Sequence, residues 1–474
     1  MSIGRANLSQ GGPIGTSAPF FSNPINQYDR VGFHTSLNSV EEWFDIPSVS
    51  TTHTRGSTSV IEIDRRGDAI GQIWLGYTRA VFATAPCIVN DWEIYNSIDN
   101  IRFLYNNKLV WSRTGEKMVL DILKMPAHER EALARLGGGD LSATERIAAA
   151  GIAQGQSADS VTSMVGGLWA KIPVPWSKDL RSLMWMVGLP NKIRVEIQWR
   201  PLAEMGCSLT STANGTPNAL LTGGAISDLT LRCKFYHVPE SERTRFWQMS
   251  QSQGGLRLKT LTSEIQSRVL LTPNALGSAQ QIAIRLTNIR NDVVALTTIV
   301  RSTPNVDGTT YYSNPWLFYP HGVYLRDSGS RVTNFFDYNN ASGTTATRRD
   351  GTLIFNYTNA FLKYNDWVRA YPQAINTQQS CVSLLPFCPP NRILDSEHNC
   401  FGSRNIGRYN NPELVVFCPA TDCTGGPQIG TAAPTVCSNG ILVTATAQTF
   451  YVDIFAEVHN IIIQQEGDWR VYLL

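Results

Sequence analysis

Short runs rich in β-branched and aromatic residues recur along this chain, separated by clusters of Gly, Pro, Asn, Asp and Ser. STSVIEID, GQIWLGYTRAVF, NIRFLYNNKLVW, NKIRVEIQW and DLTLRCKFYHV fall before residue 240. QSRVLLTP, QQIAIRLTN, VVALTTIVRS, HGVYLRDS, SCVSLLPF, PELVVFCPA and QTFYVDIFAEVHNIIIQQ follow between residues 266 and 465. Branched and aromatic side chains suit a pleated, half-buried surface, and turn residues at this spacing bring the chain back antiparallel to itself. The pattern therefore predicts an all-β protein built of antiparallel sandwiches. A length of 474 residues is generous for one sandwich, and each half supplies strands enough for its own. Two eight-stranded sandwiches in tandem are expected, although the sequence carries no fixed-period repeat.

Three stretches depart from the β texture. Residues 1–50, with GGPIGTSAPFFSNPINQ at their centre, are too rich in Gly, Ser, Pro and Asn to build a core and read as an N-terminal arm. MPAHEREALARLGGGDLSATERIAAAGIAQG places Pro126 at a helix start, a glycine run at 137–139 as a stop, and Ser142 to Glu145 as a capping box opening a second helix. A helical insertion over about residues 117–158 follows from that pattern. VPESERTRFWQMSQSQGG reads as a short helix with a Gly-terminated linker, dividing 51–245 from 246–474.

Charge and motifs exclude more than they assign. A net charge of +2, with Lys and Arg scattered, gives no footprint for a nucleic acid backbone, so no direct nucleic acid binding is expected. The N-terminus lacks the apolar core of a secretory signal, no apolar run approaches the roughly 18 residues of a membrane span, and a soluble product is expected. Nine cysteines, an odd number without a CxxC pair, argue against a zinc ribbon or a complete disulfide framework and read mainly as small buried hydrophobes. The sequence holds no GxSxG elbow, no GxxxxGK[ST] loop and no HExxH helix. Hence no catalytic residue, metal ligand or cofactor is assigned.

Weaker candidates are read blandly. Asp395, His398 and Cys400 crowd one segment, but their spacing matches no zinc or thiol-protease pattern and suits a polar surface loop. His34, His53, His237 and His459 stand singly, and the sequons at Asn7, Asn214, Asn340 and Asn356 read as chance matches. DRRGDAIGQIWL contains Arg66-Gly67-Asp68, the tripeptide of integrin ligands. Its expected role is hairpin chemistry, with Gly67 supplying conformational freedom and Asp68 bonding the turn backbone.

The order of several motifs resembles a known family. Arg65, Gly67 and Asp68 form Arg-x-Gly-Asp between two strand patterns, the second carrying Trp74-Leu75. Leu120-Asp121-Ile122 is similar to an LDIW segment, with Leu123 in place of Trp, and Pro173, Pro175 and Trp176 to PLPFWF. Tyr236, Glu242, Arg243 and Phe246 match YIYLDxxERxxF between the halves. Asn376 belongs to a GINxYSFxLxP-like run, Asn405 and Arg408 to an NFSR-like one, and Tyr451 to Ile463 to a closing YAxNYNVLRI strand. Collinear over roughly residues 55–470, these resemble the double jelly-roll major capsid proteins of nucleocytoplasmic large DNA viruses, the iridovirus-like members in particular.

The resemblance implies two tandem eight-stranded jelly rolls and a non-enzymatic subunit. It further implies homotrimeric capsomers of pseudo-hexagonal outline tiling an icosahedral shell in the virion. Neighbouring capsomers and minor capsid proteins would be partners, the arm would lie near an internal membrane, and assembly would take place in the host cytoplasm. The helical insertion and the Gly/Thr/Asn-rich loops around 205–225 and 328–350 are candidate surface or intersubunit features. The alternatives are a minor capsid or vertex protein of the same fold and a carbohydrate-binding or adhesive β-sandwich, since jelly rolls also host lectins.

Overall fold

The computed structural model describes residues 39–50, 53–80, 87–89, 93–137, 167–177, 183–202, 206–208, 223–251, 255–271, 280–302, 332–337, 352–358, 367–371, 382–389, 402–409, 412–418, 435–436, 442–443 and 450–473. Up to His237 the strands are β1 (Val40–Pro47), β2 (Thr58–Ile63), β3 (Ala69–Arg79), β4 (Cys87–Val89), β5 (Ile98–Tyr105), β6 (Lys108–Thr114), β7 (Gly167–Ile172), β8 (Met184–Trp185), β9 (Ile193–Trp199), β10 (Gly206–Ser208) and β11 (Ile226–His237). There follow β12 (Leu256–Leu271), β13 (Gln280–Arg285), β14 (Asp292–Ser302), β15 (Val332–Asp337), β16 (Thr352–Thr358), β17 (Val382–Pro386), β18 (Arg404–Asn405), β19 (Glu413–Cys418), β20 (Thr435–Val436), β21 (Leu442–Val443), β22 (Phe450–Gln465) and β23 (Asp468–Leu473). The helices are α1 (Glu93–Asn96), α2 (Gly115–Leu123), α3 (Ala127–Leu136), α4 (Glu240–Gln251) and α5 (Trp367–Ala370).

Four main sheets emerge, and they fall into two matching pairs. Before α4 the orders are β1-β11-β3-β7 and β2-β9-β5-β6; after it they are β12-β22-β14-β17 and β13-β19-β15-β16. Ranked by position in each half, the main strands pair as first-eighth-third-sixth and second-seventh-fourth-fifth in both halves. Short β8 joins β3, and β18 and β23 join β14 and β22. Among the described residues no sheet mixes strands from the two sides of α4.

Burial follows the strand period. β2, β7 and β9 alternate buried with more exposed positions, as a strand with one face on a core must. β3 and β22 are buried along most of their length, because both of their faces are covered. A continuous apolar cluster runs from Ile61, Leu75, Phe103 and Val195 in the first half to Phe455, Ile462 and Trp469 in the second.

Two expectations need correction here. The arm expected over 1–50 contains β1, whose Val40 to Pro47 pair with His237 to Thr230 of β11; alternating Phe44 and Ile46 supply its inward face, too short a pattern to stand out in a polar context. The loop expected around 328–350 contains β15, held between β16 and β19. The first helix of the insertion, α2, begins at Gly115, next to the expected start at about 117. α2 follows directly on β6, with the Thr114 hydroxyl accepting from Lys117 N at 3.3 Å. Pro126 is the N-cap of α3 and Gly137 its C-cap, whereas the second predicted helix, from Ser142, lies outside the described residues.

The short connections of both halves meet at one end. The Asn106-Asn107 turn, left-handed at both residues, and the Glu466-Gly467 turn, likewise left-handed, sit together there. Tyr105 Oη donates to Gly467 O at 2.9 Å, Asn191 Nδ2 to Asn106 Oδ1 at 2.7 Å, and Glu466 N to Ser250 O at 3.0 Å. The strand ends that open the longer connections after β3, β6, β9, β14, β16 and β19 lie at the opposite end, since every pairing is antiparallel.

Candidate assembly site at the junction of the two sandwiches

Asp68 begins the junction. β2 and β3 belong to different sheets, so Arg66-Gly67-Asp68 is a crossover between sheets and not the expected hairpin. Gly67 does not adopt a left-handed backbone. A Cβ there would lie 2.9 Å from Phe235 Cβ and 3.1 Å from Tyr236 O, so close approach of β11, not turn freedom, demands glycine. The Asp68 side chain is 5% exposed. Its Oδ2 accepts from Val238 N at 2.9 Å and from Arg243 Nη2 at 3.1 Å, while Oδ1 accepts from Arg243 Nε at 2.8 Å. Such a two-pronged guanidinium–carboxylate pair fixes orientation as well as energy.

The pair fastens α4 across the end of β11. One turn further on, Phe246 stacks on Trp185 with centroids 3.5 Å apart, in a cluster with Ala69, Tyr236, Val238 and Leu256. The Arg-x-Gly-Asp and Glu-Arg-x-x-Phe motifs, far apart in sequence, thus form one anchor. Gly255, left-handed, then turns the chain into β12, where a Cβ would meet Gln464 O at 2.5 Å.

An aromatic seam lies behind this anchor. Pro173 and Pro175 deliver Trp176 on a single 3₁₀ turn after β7, and it is fully buried. Its ring meets Phe103 at 5.6 Å, Trp111 at 6.5 Å and, across the junction, Trp469 at 6.2 Å, while Tyr105 packs on Trp469 at 5.9 Å. Gln464 Nε2 donates to Val187 O at 2.8 Å. A small, partly open cleft along the seam is lined by Trp176, Leu183, Trp185, Leu256, Ile462 and Trp469.

A buried charge network closes the other flank. Lys117 of α2, 1% exposed, places Nζ 2.8 Å from Asp121 Oδ1 and 3.1 Å from Glu457 Oε1 of β22. Lys124 also bonds Glu457, and Arg113 Nε lies 3.6 Å from Asp121 Oδ2. Burial alone would raise the Glu457 carboxyl, but Lys124 and Lys117 outweigh it and hold the group well below the ordinary carboxylate range. Asp121 is likewise lowered, burial being outweighed by Lys117, Arg113 and Lys124. Burial pushes the Lys117 ammonium down further than its two carboxylate partners restore it.

The remaining motif residues scatter around these features. Arg65 is exposed, 3.8 Å from Asp68; Trp74 is half-buried on β3, and Leu120 lies in the core beside Asp121. Glu242 is half-buried on α4, Asn405 pairs with Asp292 through β18, and Arg408 is exposed on the following turn. Asn376, His398 and Cys400 lie outside the described residues, as do the sequons at Asn7, Asn214 and Asn340. Asn356 sits on β16 opposite Asn334. Cys233 and Cys388 are buried free thiols, and burial pushes Cys388 up to about 11. Among the described residues no group of His, Cys, Asp or Glu could hold a metal ion, and no helix is long and apolar enough to cross a membrane.

No family model matches the sequence, and no curated protein is similar to it in sequence. Solved structures are similar over nearly the whole chain. VP54 of PBCV-1, fitted into a reconstruction of the virophage Sputnik, gives a TM-score of 0.63 at 12% identity, covering 93% of this chain and 98% of that one. The fold is the double jelly roll. A quasi-atomic model of the PBCV-1 virus capsid gives 0.62 at 13% identity over 93% and 98% of the two chains, and the Faustovirus major capsid protein 0.57 at 10% over 98% and 97%. At such identities the likeness is one of fold, and the double jelly roll of this chain is held at its junction by the residues described above.

Proposed function

We propose that this chain is the major capsid protein of a large DNA virus, a structural subunit without catalysis that trimerises into pseudo-hexagonal capsomers and tiles an icosahedral shell. The observation that carries the reading is one chain holding two sandwiches of the same strand order, side by side with like ends together. Three such chains offer six like wedges, and six wedges in a ring make a hexagonal tile. The whole-length likeness in fold to VP54 and to the Faustovirus protein supports it. In this reading 51–245 and 246–474 are the wedges, β1 completes the first, and the rest of the 1–50 arm reaches towards minor capsid proteins or an internal membrane. Asp68, Arg243, Phe246 and Trp176 set the angle between the wedges and touch no substrate. The protein resides in the virion, after assembly in the host cytoplasm.

The test is the solution mass of purified protein by light scattering during size exclusion, with negative-stain images of the main peak. A stable trimer with a hexagonal outline is expected. A stable monomer that binds glycans tightly would overturn the reading in favour of the carbohydrate-binding sandwich.

A further inference from the structure

The contact between the two sandwiches is head to tail. The first contributes the side bearing its fifth strand: β6, the β5–β6 turn, α2 and the segment from Trp176 to Val187. The second contributes its first and eighth strands, β12 and β22, with β23 attached. Since the strand order is the same in both, each of these elements has a counterpart in the other sandwich.

The counterpart of the covered β12–β22 pair is β1–β11, which the described residues leave open. β1 ends its sheet, and Trp43, on the side away from Phe44 and Ile46, is 44% exposed. The charges around Trp43 are already paired on this face. Lys234 bonds Glu41 and lies 5.7 Å over the Trp43 ring; Arg232 grips Asp45 through Nε at 2.7 Å and Nη2 at 2.8 Å and stacks 4.5 Å over Trp169. An aromatic anchor among satisfied charges has the make-up of an interface centre, where loose charges are depleted and Trp and Arg enriched.

We propose that the β1–β11 face of one copy receives the second sandwich of a second copy, through the side that carries β16, its fifth strand. The join made inside one chain is thereby repeated between chains. This rests on the capsid reading and names the surface it uses. Contacts of this heterologous kind close into a ring when the rotation permits, here after three chains with about 60° per wedge.

Hydroxyl-radical footprinting of the native protein, read at single residues by mass spectrometry, tests it without a variant. In the trimer Trp43 should oxidise several-fold more slowly than Trp247, which is 50% exposed on α4 and outside the proposed face. Equal rates in the trimer would overturn the proposal. Trp43→Glu, at an exposed position, should elute at monomer mass with an unchanged urea midpoint, and a Trp43→Glu trimer would overturn it too. Either failure leaves a wild-type trimer standing, whereas wild-type protein that is itself a monomer removes the capsid reading along with this surface.

Discussion

A carboxylate bound by a backbone amide and two guanidinium nitrogens cannot also be offered to a receptor. Asp68 is in that position, so the folded protein should not support cell attachment that soluble Arg-Gly-Asp peptide competes away, while heat-unfolded protein should. The same contacts predict that Asp68→Ala, which strands Val238 N and Arg243, costs about 1.5–3 kcal/mol, read as a urea midpoint shift. Gly67→Ala should cost about 1–3 kcal/mol through overpacking against Phe235. Glu457 and Asp121 add a pH signature. Their folded pKa values are depressed, so their contribution is complete above the ordinary carboxylate range of about 4 and is lost as pH falls through the lower folded values. Wild-type protein should therefore lose stability steeply below about pH 4. Glu457→Leu should cost about 3–5 kcal/mol at neutral pH, because it leaves Lys117 buried against one carboxylate, and should flatten the acid limb of the stability profile.

Elements carry the junction only when they act across it. Trp469 arrives on β23, the last strand, and fills the space between Tyr105 and Trp176. Trp469→Ala should cost about 3–5 kcal/mol and split one calorimetric transition into two, as the sandwiches lose their shared core. Such a role was invisible in DWRVYLL, since a terminal Trp gives no hint of its partner. The strands themselves were mostly legible: QTFYVDIFAEVHNIII and DLTLRCKFYHV have the branched, aromatic character of β22 and β11 and little else they could form. A carboxylate inside that first apolar run was the available signal for a buried ion pair at Glu457, and only the fold supplies Lys117 and Lys124 as its partners. β1 escaped notice because WFDIP offers two inward residues amid charges. The Arg-x-Gly-Asp anchor was legible as a motif and misread as a hairpin, because sequence spacing does not tell whether two strands share a sheet.

At the scale of the molecule, duplication is written in topology and absent from the sequence. Matching orders in four sheets need only that apolar positions recur at strand spacing, and many sequences satisfy that. The same orders carry a consequence for synthesis. In each sandwich the first strand pairs with the eighth, so β1 waits for β11 and β12 for β22. No sandwich can close on the ribosome before its last strand has emerged. At roughly 5–20 residues per second the first half stays open for on the order of ten seconds or more, with β1 and β3 awaiting the strand that joins them. Nascent chains arrested at increasing lengths should turn protease-resistant in two abrupt steps, one after His237 clears the exit tunnel and one only after Gln465 does.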